Sequence, residues 1–161
     1  MSATQLANAS QMGEPVNPWM METGSFCIWG ALLLLTLIWT LKDKRLPLFG
    51  LVLIAATSSF WQEFFGDWGA YVAWNPAFAR LPFWGEMAYT TPVKPLFIPF
   101  SWGWWFAISI PLLVALTRWL HGKFPTLSIP LIAMATAFPL YLVYQINVEG
   151  SSVANGWWTY D

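Results

Sequence analysis

The sequence has little charge and only one cysteine. Only 9% of its 161 residues are charged, whereas roughly a quarter are charged in an ordinary soluble domain. So few charges cannot form the polar surface that a soluble protein needs. The formal net charge of −1 gives no basic field for nucleic acid, so we expect no nucleic-acid partner. Cys27 is the only cysteine, so an intrachain disulfide cannot form.

Histidine is equally scarce. His121 is the only one, and it lies beside Arg118 and Lys123, where we expect a solvated or headgroup-contacting role. The sequence also lacks a phosphate-binding glycine loop, a nucleophile elbow and a Cys/His pair. We therefore predict no metal and no cofactor. A hard cation held by carboxylates alone stays open as an alternative.

Apolar residues, in contrast, form 57% of the chain. A helix that spans a membrane needs about 20 mostly apolar residues, and four stretches approach that length. The sequence therefore predicts an all-α, polytopic membrane bundle of four transmembrane helices. The predicted spans are about 24–41, 47–65, 96–120 and 124–148, in a single membrane domain 24–161 that follows a polar N-terminal segment 1–23.

The positions of the positive charges predict an orientation. Five of the seven basic residues cluster in the two short loops after the first and third spans. Seven of the eight acidic residues fall in the opposite half of the membrane or beyond it. The positive-inside rule then makes those loops cytoplasmic and both termini extracytoplasmic. The five basic residues are Lys42, Lys44, Arg45, Arg118 and Lys123.

The outer loop between the second and third spans, residues 66–95, is rich in aromatic rings. A loop of this length without secondary structure tends to be functional or disordered, and disorder disfavours so many aromatic residues. We therefore expect an ordered lid over the bundle. For any single tryptophan the alternative is a place at the membrane interface, which suits its amphipathic ring.

Two carboxylates, Glu63 and Asp67, lie in the stretch FWQEFFGDWGAY, residues 60–71. If the helix continues through Gly66, both project from one face with Cβ atoms about 6 Å apart. Desolvation at a membrane boundary and like-charge repulsion both favour a protonated carboxyl, so one of the pair can act as a general acid. The alternative for either residue alone is an interfacial anchor.

The fourth predicted span brings a third carboxylate to the same depth, because Gln145 and Glu149 lie one helical turn apart at its outer end. We expect Glu63, Asp67 and Glu149 to converge in one catalytic layer beneath the lid. A carboxylic acid there can protonate a hydroxyl or carbonyl oxygen, while aromatic faces shelter a cationic intermediate. The candidate substrate-binding residues are Trp61, Trp68, Tyr71, Trp102, Gln145 and Tyr160.

Three motifs resemble those of a known family. They are EFFGDWG at 63–69, TPVKPLFIPFSWGWW at 91–105 and VEGSSVANGWWTY at 148–160. In order and approximate spacing they resemble the spirocyclase AveC-like family of bacterial integral membrane proteins, over roughly residues 45–160. The resemblance implies a cyclase or dehydratase of the bacterial inner (plasma) membrane, which closes a hydroxy-ketone into a spiroketal with loss of water.

The resemblance also implies roles for single residues. The family's Glu-x-x-x-Asp falls on Glu63 and Asp67, and its later glutamate falls on Glu149, before the ending that holds Gly156 and Tyr160. Family members continue past this point with further spans. Those helices would lie beyond residue 161 in a longer chain, or a partner subunit or a second copy would supply them.

Two positions depart from the family pattern. Gln145 stands where the family usually has an acid, which removes a second proton-handling group. Lys94 is the nearest candidate for the basic position before the proline-rich segment.

The sequence leaves two classes of function open. In the first, the protein is a cyclase or dehydratase acting on a lipophilic hydroxy-ketone, polyketide or terpenoid, and a small membrane terpene cyclase of the fungal type would use the same acid layer. In the second, it is a non-enzymatic accessory subunit of a membrane complex. Its 13 tryptophans would then bind membrane lipid, quinone or pigment, and the acids would be anchors.

Overall fold

The computed structural model describes residues 12–70, 72–81 and 94–160, with only the backbone described at positions 64, 68 and 70. The described chain is mostly helical. In chain order its helices and strands are α1 (Pro18–Asp43), α2 (Leu48–Ser58), α3 (Glu63–Ala70), β1 (Val72–Trp74), α4 (Ile98–Lys123), α5 (Ile129–Ala154) and β2 (Trp158–Tyr160).

Three described helices, α1, α4 and α5, are long and apolar enough to cross a membrane, which agrees with three of the predicted spans. Each has a proline in its first turn, at Pro18, Pro99 and Pro130, where the missing N–H is not needed. These prolines set the starts of the helices. As a result, α1 begins before the predicted start at residue 24, and α5 begins after residue 124.

The predicted second span is broken in the middle. Helix α2 ends at Ser58, and a short 3₁₀ turn, Phe60–Gln62, leads into α3. The hydroxyls of Thr57 and Ser58 donate hydrogen bonds to carbonyls in the preceding turn, at 2.7 Å and 2.8 Å, an arrangement that bends helices. The segments Leu48–Ser58 and Phe60–Asp67 meet at a bend of 44°. If they act as one span, they provide a fourth membrane crossing.

Helix α4 lies at the centre of the bundle and contacts α1, α2 and α5. Gly103 of α4 permits α1 and α2 to approach α4 closely. A Cβ at this position would lie 2.8 Å from Trp29 Cδ1 of α1 and would also overlap Thr57 of α2. Across this gap the Trp29 indole donates a hydrogen bond of 2.8 Å to the Thr57 hydroxyl. Small and hydroxylated residues of this kind are typical of helix contacts inside membranes.

The buried apolar core lies at one end of the bundle, where α1 and α4 begin and α5 ends. We call this the carboxylate end, and the opposite end, which carries Lys42 and Lys123, the basic end. A core in this place fits a membrane protein, because helices in lipid do not need to bury their apolar faces against each other. The residues of the core are Val72, Trp74, Phe78, Phe97, Ile98, Trp157 and Trp158.

Two features of the carboxylate end were not predicted. Strands β1 and β2 pair antiparallel, with Trp74 opposite Trp158, so the residues after α5 return to cover those after α3. The segment before α1 closes the same layer, because the amide of Asn75 donates hydrogen bonds to the carbonyls of Gly13 (3.0 Å) and Gly156 (2.7 Å). These contacts hold the floor and rim of a cavity.

Candidate functional site

A cavity of about 350 Å³ lies at the carboxylate end, between α3, α4, α5 and the strand pair. This volume is within the range of sites that hold small organic molecules. All three carboxylates predicted from the sequence, Glu63, Asp67 and Glu149, line it. The other lining residues are Met21, Val72, Trp74, Phe97, Ile98, Ser101, Trp102, Trp104, Trp105, Phe106, Tyr141, Tyr144, Gln145, Val148 and Trp158.

Glu63 begins α3, so the break after α2 determines its position. Its Oε2 accepts a hydrogen bond of 2.7 Å from the Trp102 indole in the first turns of α4. Helix α3 continues through Gly66, as the predicted pairing with Asp67 required. The two carboxyl groups therefore lie on one face of a helix, one turn apart.

Asp67 is the most enclosed of the three acids, with a relative exposure of 4%. Its Oδ2 accepts a hydrogen bond of 2.7 Å from the Trp74 indole of β1, and it forms an ion pair with Lys94. Lys94 is itself 2% exposed, and its ammonium group also lies 3.4 Å from the Glu63 carbonyl. The lysine, which does not itself line the cavity, thus anchors α3.

Glu149 is held by neighbours near the end of the chain. Its Oε1 accepts a hydrogen bond of 2.7 Å from the Gln145 amide, and its Oε2 accepts one of 3.0 Å from the Trp158 indole. The Tyr160 hydroxyl donates to the same Oε2. Each of the three carboxylates therefore accepts an indole N–H, and each from a different tryptophan.

The pKa values of Lys94 and Tyr160, which lie next to the cavity, are shifted. Burial lowers the pKa of Lys94 to about 7, against the opposing effect of the Glu63 charge. Partial burial and the hydrogen bond to Glu149 raise the pKa of Tyr160 to about 12. The Tyr160 hydroxyl therefore keeps its proton at every physiological pH and acts as a donor to Glu149.

Aromatic rings form the walls. Trp74 and Trp158 lie across the strand pair with ring centroids 4.6 Å apart. The rings of Trp105 and Tyr144 stack at 3.5 Å between α4 and α5. Stacked rings of this kind give a rigid apolar surface whose faces attract positive charge.

The structure brings together only part of the predicted substrate-binding set. Trp102 and Gln145 line the cavity, and Tyr160 contacts Glu149 at its edge. Trp61 lies elsewhere: it belongs to the 3₁₀ turn, is 52% exposed and packs edge-on against Phe65, because the break after α2 turns it away. The Trp68 side chain and Tyr71 lie outside the described residues, as does much of the predicted lid.

Sequence reasoning missed two tryptophans that contact the acids and gave Lys94 too small a role. Trp74 and Trp158 donate to Asp67 and Glu149, and Lys94 forms the ion pair with Asp67. A usable signal was present, because Arg80 and Lys94 are the only basic residues between the predicted second and third spans. A lysine among so many apolar residues requires a buried acidic partner.

Within the described ranges, no group of three His, Cys, Asp or Glu side chains is placed to hold a metal ion. Comparisons with protein-family models, with curated proteins and with solved structures found no match. The resemblance to the spirocyclase AveC-like family therefore stays a prediction.

Proposed function

We propose that this protein is a membrane-embedded cyclase or dehydratase that acts on a lipophilic hydroxy-ketone, polyketide or terpenoid by carboxylate acid-base chemistry. The observation that carries the proposal is the convergence of Glu63, Asp67 and Glu149 on one aromatic cavity. They come from two helices far apart in the sequence. Three acids that served only as interfacial anchors would have no reason to share a partly enclosed chamber.

The surroundings of each acid suggest its role. Asp67 is ion-paired with Lys94 and hydrogen-bonded to Trp74, an arrangement that suits a carboxylate that accepts a proton. Glu63 has the Trp102 indole as its side-chain partner and carries the proton that it gives to a carbonyl or hydroxyl oxygen. Glu149, fixed by its own donors, orients the substrate or acts as a supporting acid.

The reaction we propose balances without a cofactor. A substrate hydroxyl adds to the carbonyl carbon after Glu63 protonates the carbonyl oxygen, and Asp67 takes the hydroxyl proton. Asp67 then returns this proton to the new hydroxyl, which leaves as water, and the oxocarbenium ion that forms is stabilised by the aromatic faces. A second hydroxyl closes the ring and gives its proton to Glu63, so both acids return to their starting states and the product has one water less than the substrate.

The membrane setting is part of the proposal. The charge distribution favours a basic end in the cytoplasm and a carboxylate end outside it, in a bacterial inner membrane as the family resemblance implies. A lipophilic substrate would enter from the bilayer. Further helices, from a second copy or a partner subunit, would then pack on the exposed apolar faces of the bundle.

The second candidate is a non-enzymatic accessory subunit that binds lipid, quinone or pigment. The stacked Trp105 and Tyr144 rings in the cavity wall favour it, because they would hold a planar ring as well as a cation. In this case the acids set the geometry of the site and perform no chemistry.

Substitution of the acids distinguishes the two candidates. Glu63→Gln, Asp67→Asn and Glu149→Gln keep the shape of each side chain and remove its charge, and Glu14→Gln, exposed and outside the cavity, is the matched control. Turnover of a candidate hydroxy-ketone and accumulation of the protein are measured together. Loss of turnover at normal accumulation supports catalysis, whereas unchanged turnover, or loss only of assembly with a partner, contradicts it.

A further inference from the structure

The charges at the carboxylate end do not balance. Glu63, Asp67 and Glu149 face one cavity, and Lys94 is the only basic side chain in contact with any of them among the described residues. Lys94 is paired with Asp67 and does not line the cavity. The side chains of Glu63 and Glu149 accept hydrogen bonds from neutral donors only. The charge of Lys94 also acts on Glu63, but one positive charge cannot balance three negative ones.

The other lysines and arginines do not supply the missing positive charge. Of the chain's seven basic residues, five lie at the basic end, and Lys94 is already paired. The seventh, Arg80, is exposed and does not line the cavity. The segment between Leu81 and Lys94 has no lysine or arginine in its sequence. A proton or an external cation must therefore offset the two charges whenever both are enclosed.

The walls favour an organic cation over a metal ion. Faces of Trp, Tyr and Phe surround the two carboxylates, and such faces attract alkylammonium groups most strongly when water is excluded. A metal ion would need several oxygen ligands converging at one point. No such group of ligands occurs in the part of the chain that the structure describes.

An apolar groove lies next to the cavity on α5, toward the basic end. It is lined by Met134, Ala137, Phe138, Tyr141 and Leu142, and Tyr141 also lines the cavity, so the two are adjacent. From Glu149 to Met134 the helix rises about 22 Å, which is the length scale of a long hydrocarbon chain. A ligand with a charged head in the cavity therefore has an apolar path for its tail.

We propose that the cavity binds a lipophilic organic ammonium ion, with its head among Glu63, Glu149 and the aromatic walls and its hydrocarbon tail in the α5 groove. This goes beyond the proposed reaction, because such binding requires no turnover. It also agrees with that reaction, since a site that stabilises an oxocarbenium ion holds a stable cation of similar charge. The ammonium ion would displace the proton that otherwise offsets the two acids.

The direct test is calorimetric titration of the full chain in nanodiscs of zwitterionic lipid, with empty discs to subtract partitioning. The probes are decyltrimethylammonium, which has head and tail, tetramethylammonium, which lacks the tail, and decanol, which lacks the charge. We expect saturable binding of the first, weaker binding of the second and no binding of decanol above empty discs.

Variants locate the head and the tail. Glu63→Gln combined with Glu149→Gln should weaken decyltrimethylammonium binding about tenfold or more, and Glu14→Gln should leave it unchanged. If the double variant does not fold, Glu149→Gln alone serves, because this side chain is only partly buried. Leu142→Trp fills the groove about 10 Å along α5 from Glu149, within reach of a decyl tail. It should weaken decyltrimethylammonium but not tetramethylammonium.

Three results would overturn the inference. They are equal binding of decanol, unchanged affinity in both glutamate variants, and displacement of the probe by calcium at concentrations that do not displace it from empty discs. Because the assay measures binding alone, its failure leaves the acid-base proposal to be decided by turnover. Conversely, a variant that loses turnover but still binds the cation would show that binding and catalysis are separate properties of the site.

Discussion

The Trp102 indole nitrogen donates a hydrogen bond of 2.7 Å to Oε2 of Glu63. This contact links the beginning of α4 to the beginning of α3, on the two sides of the segment that was predicted as a lid. Glu63 is therefore fixed by a residue from the bundle itself. The same pattern, an indole donor for a carboxylate, recurs at Trp74 with Asp67 and at Trp158 with Glu149.

Trp102→Phe should destabilise the protein by about 1–3 kcal/mol, because it leaves a partly buried carboxylate without its donor. The measurement is thermal or denaturant unfolding in detergent. Trp119→Phe is the matched control, since Trp119 is on the same helix but 60% exposed, and it should change the unfolding free energy by less than about 0.5 kcal/mol. Equal effects of the two substitutions would argue against the hydrogen bond.

At pH 6, where Lys94 is protonated and paired, Lys94→Met should destabilise the protein more than Trp102→Phe does. Removing one partner leaves the Asp67 carboxylate buried and uncompensated, which costs about 3–5 kcal/mol. The double variant Lys94→Met with Asp67→Leu should recover part of this loss, because neither charge then remains. Lys123→Met at the basic end is the control. A double variant no more stable than the single one would contradict the pairing.

The shifted pKa of Lys94 predicts a pH dependence of stability. Its pKa is about 7 in the folded protein and about 10.5 when unperturbed, so between these values the unfolded chain binds more protons. The unfolding free energy therefore rises with pH above about 7, by roughly 1 kcal/mol per pH unit. Below about pH 7 both states are protonated, and this contribution has no slope.

Comparison with Lys94→Met isolates this contribution. The stability of the wild type relative to the variant, measured from pH 6 to pH 9 in one detergent, should be flat below about pH 7 and increase above it. Parallel curves over the whole range would show that Lys94 keeps an ordinary pKa in the folded state.

Gly103→Ala should destabilise the bundle, because the added methyl group overlaps Thr57 and the Trp29 ring. Overpacking of this kind costs about 1–3 kcal/mol. The measurement is thermal unfolding in detergent, with Gly122→Ala as control, since a Cβ at Gly122 meets no atom within 4 Å. A Gly103→Ala protein as stable as the wild type would mean that α4 does not pack closely against α1 and α2.

The sequence predicted the parts of this molecule that depend on local patterns. Apolar length was enough for the three long helices, and the spacing of Glu63 and Asp67 on a continuing helix placed both acids on one face. Topology then predicted that Glu149 would lie at the same depth. These inferences needed only periodicity, charge and the geometry of a helix.

The parts that sequence did not predict depend on contacts between distant segments. The break at Ser58 occurs beside hydroxyl groups that bond to the backbone, in a stretch whose apolar content suggests one span. Strands β1 and β2 have three residues each, too few for a periodic signal, and Trp74 meets Trp158 only after the chain has folded. The ion pair of Lys94 with Asp67 joins α3 to the start of α4 in the same way.

The central claim is that the three acids perform chemistry on a lipophilic substrate. Its most direct test is a comparison of extracted metabolites from cells that contain the wild type and cells that contain Glu63→Gln at equal protein level. We predict a wild-type product lighter than its precursor by one water, with the precursor accumulating in the variant. Identical metabolite profiles in the two cells would contradict the account.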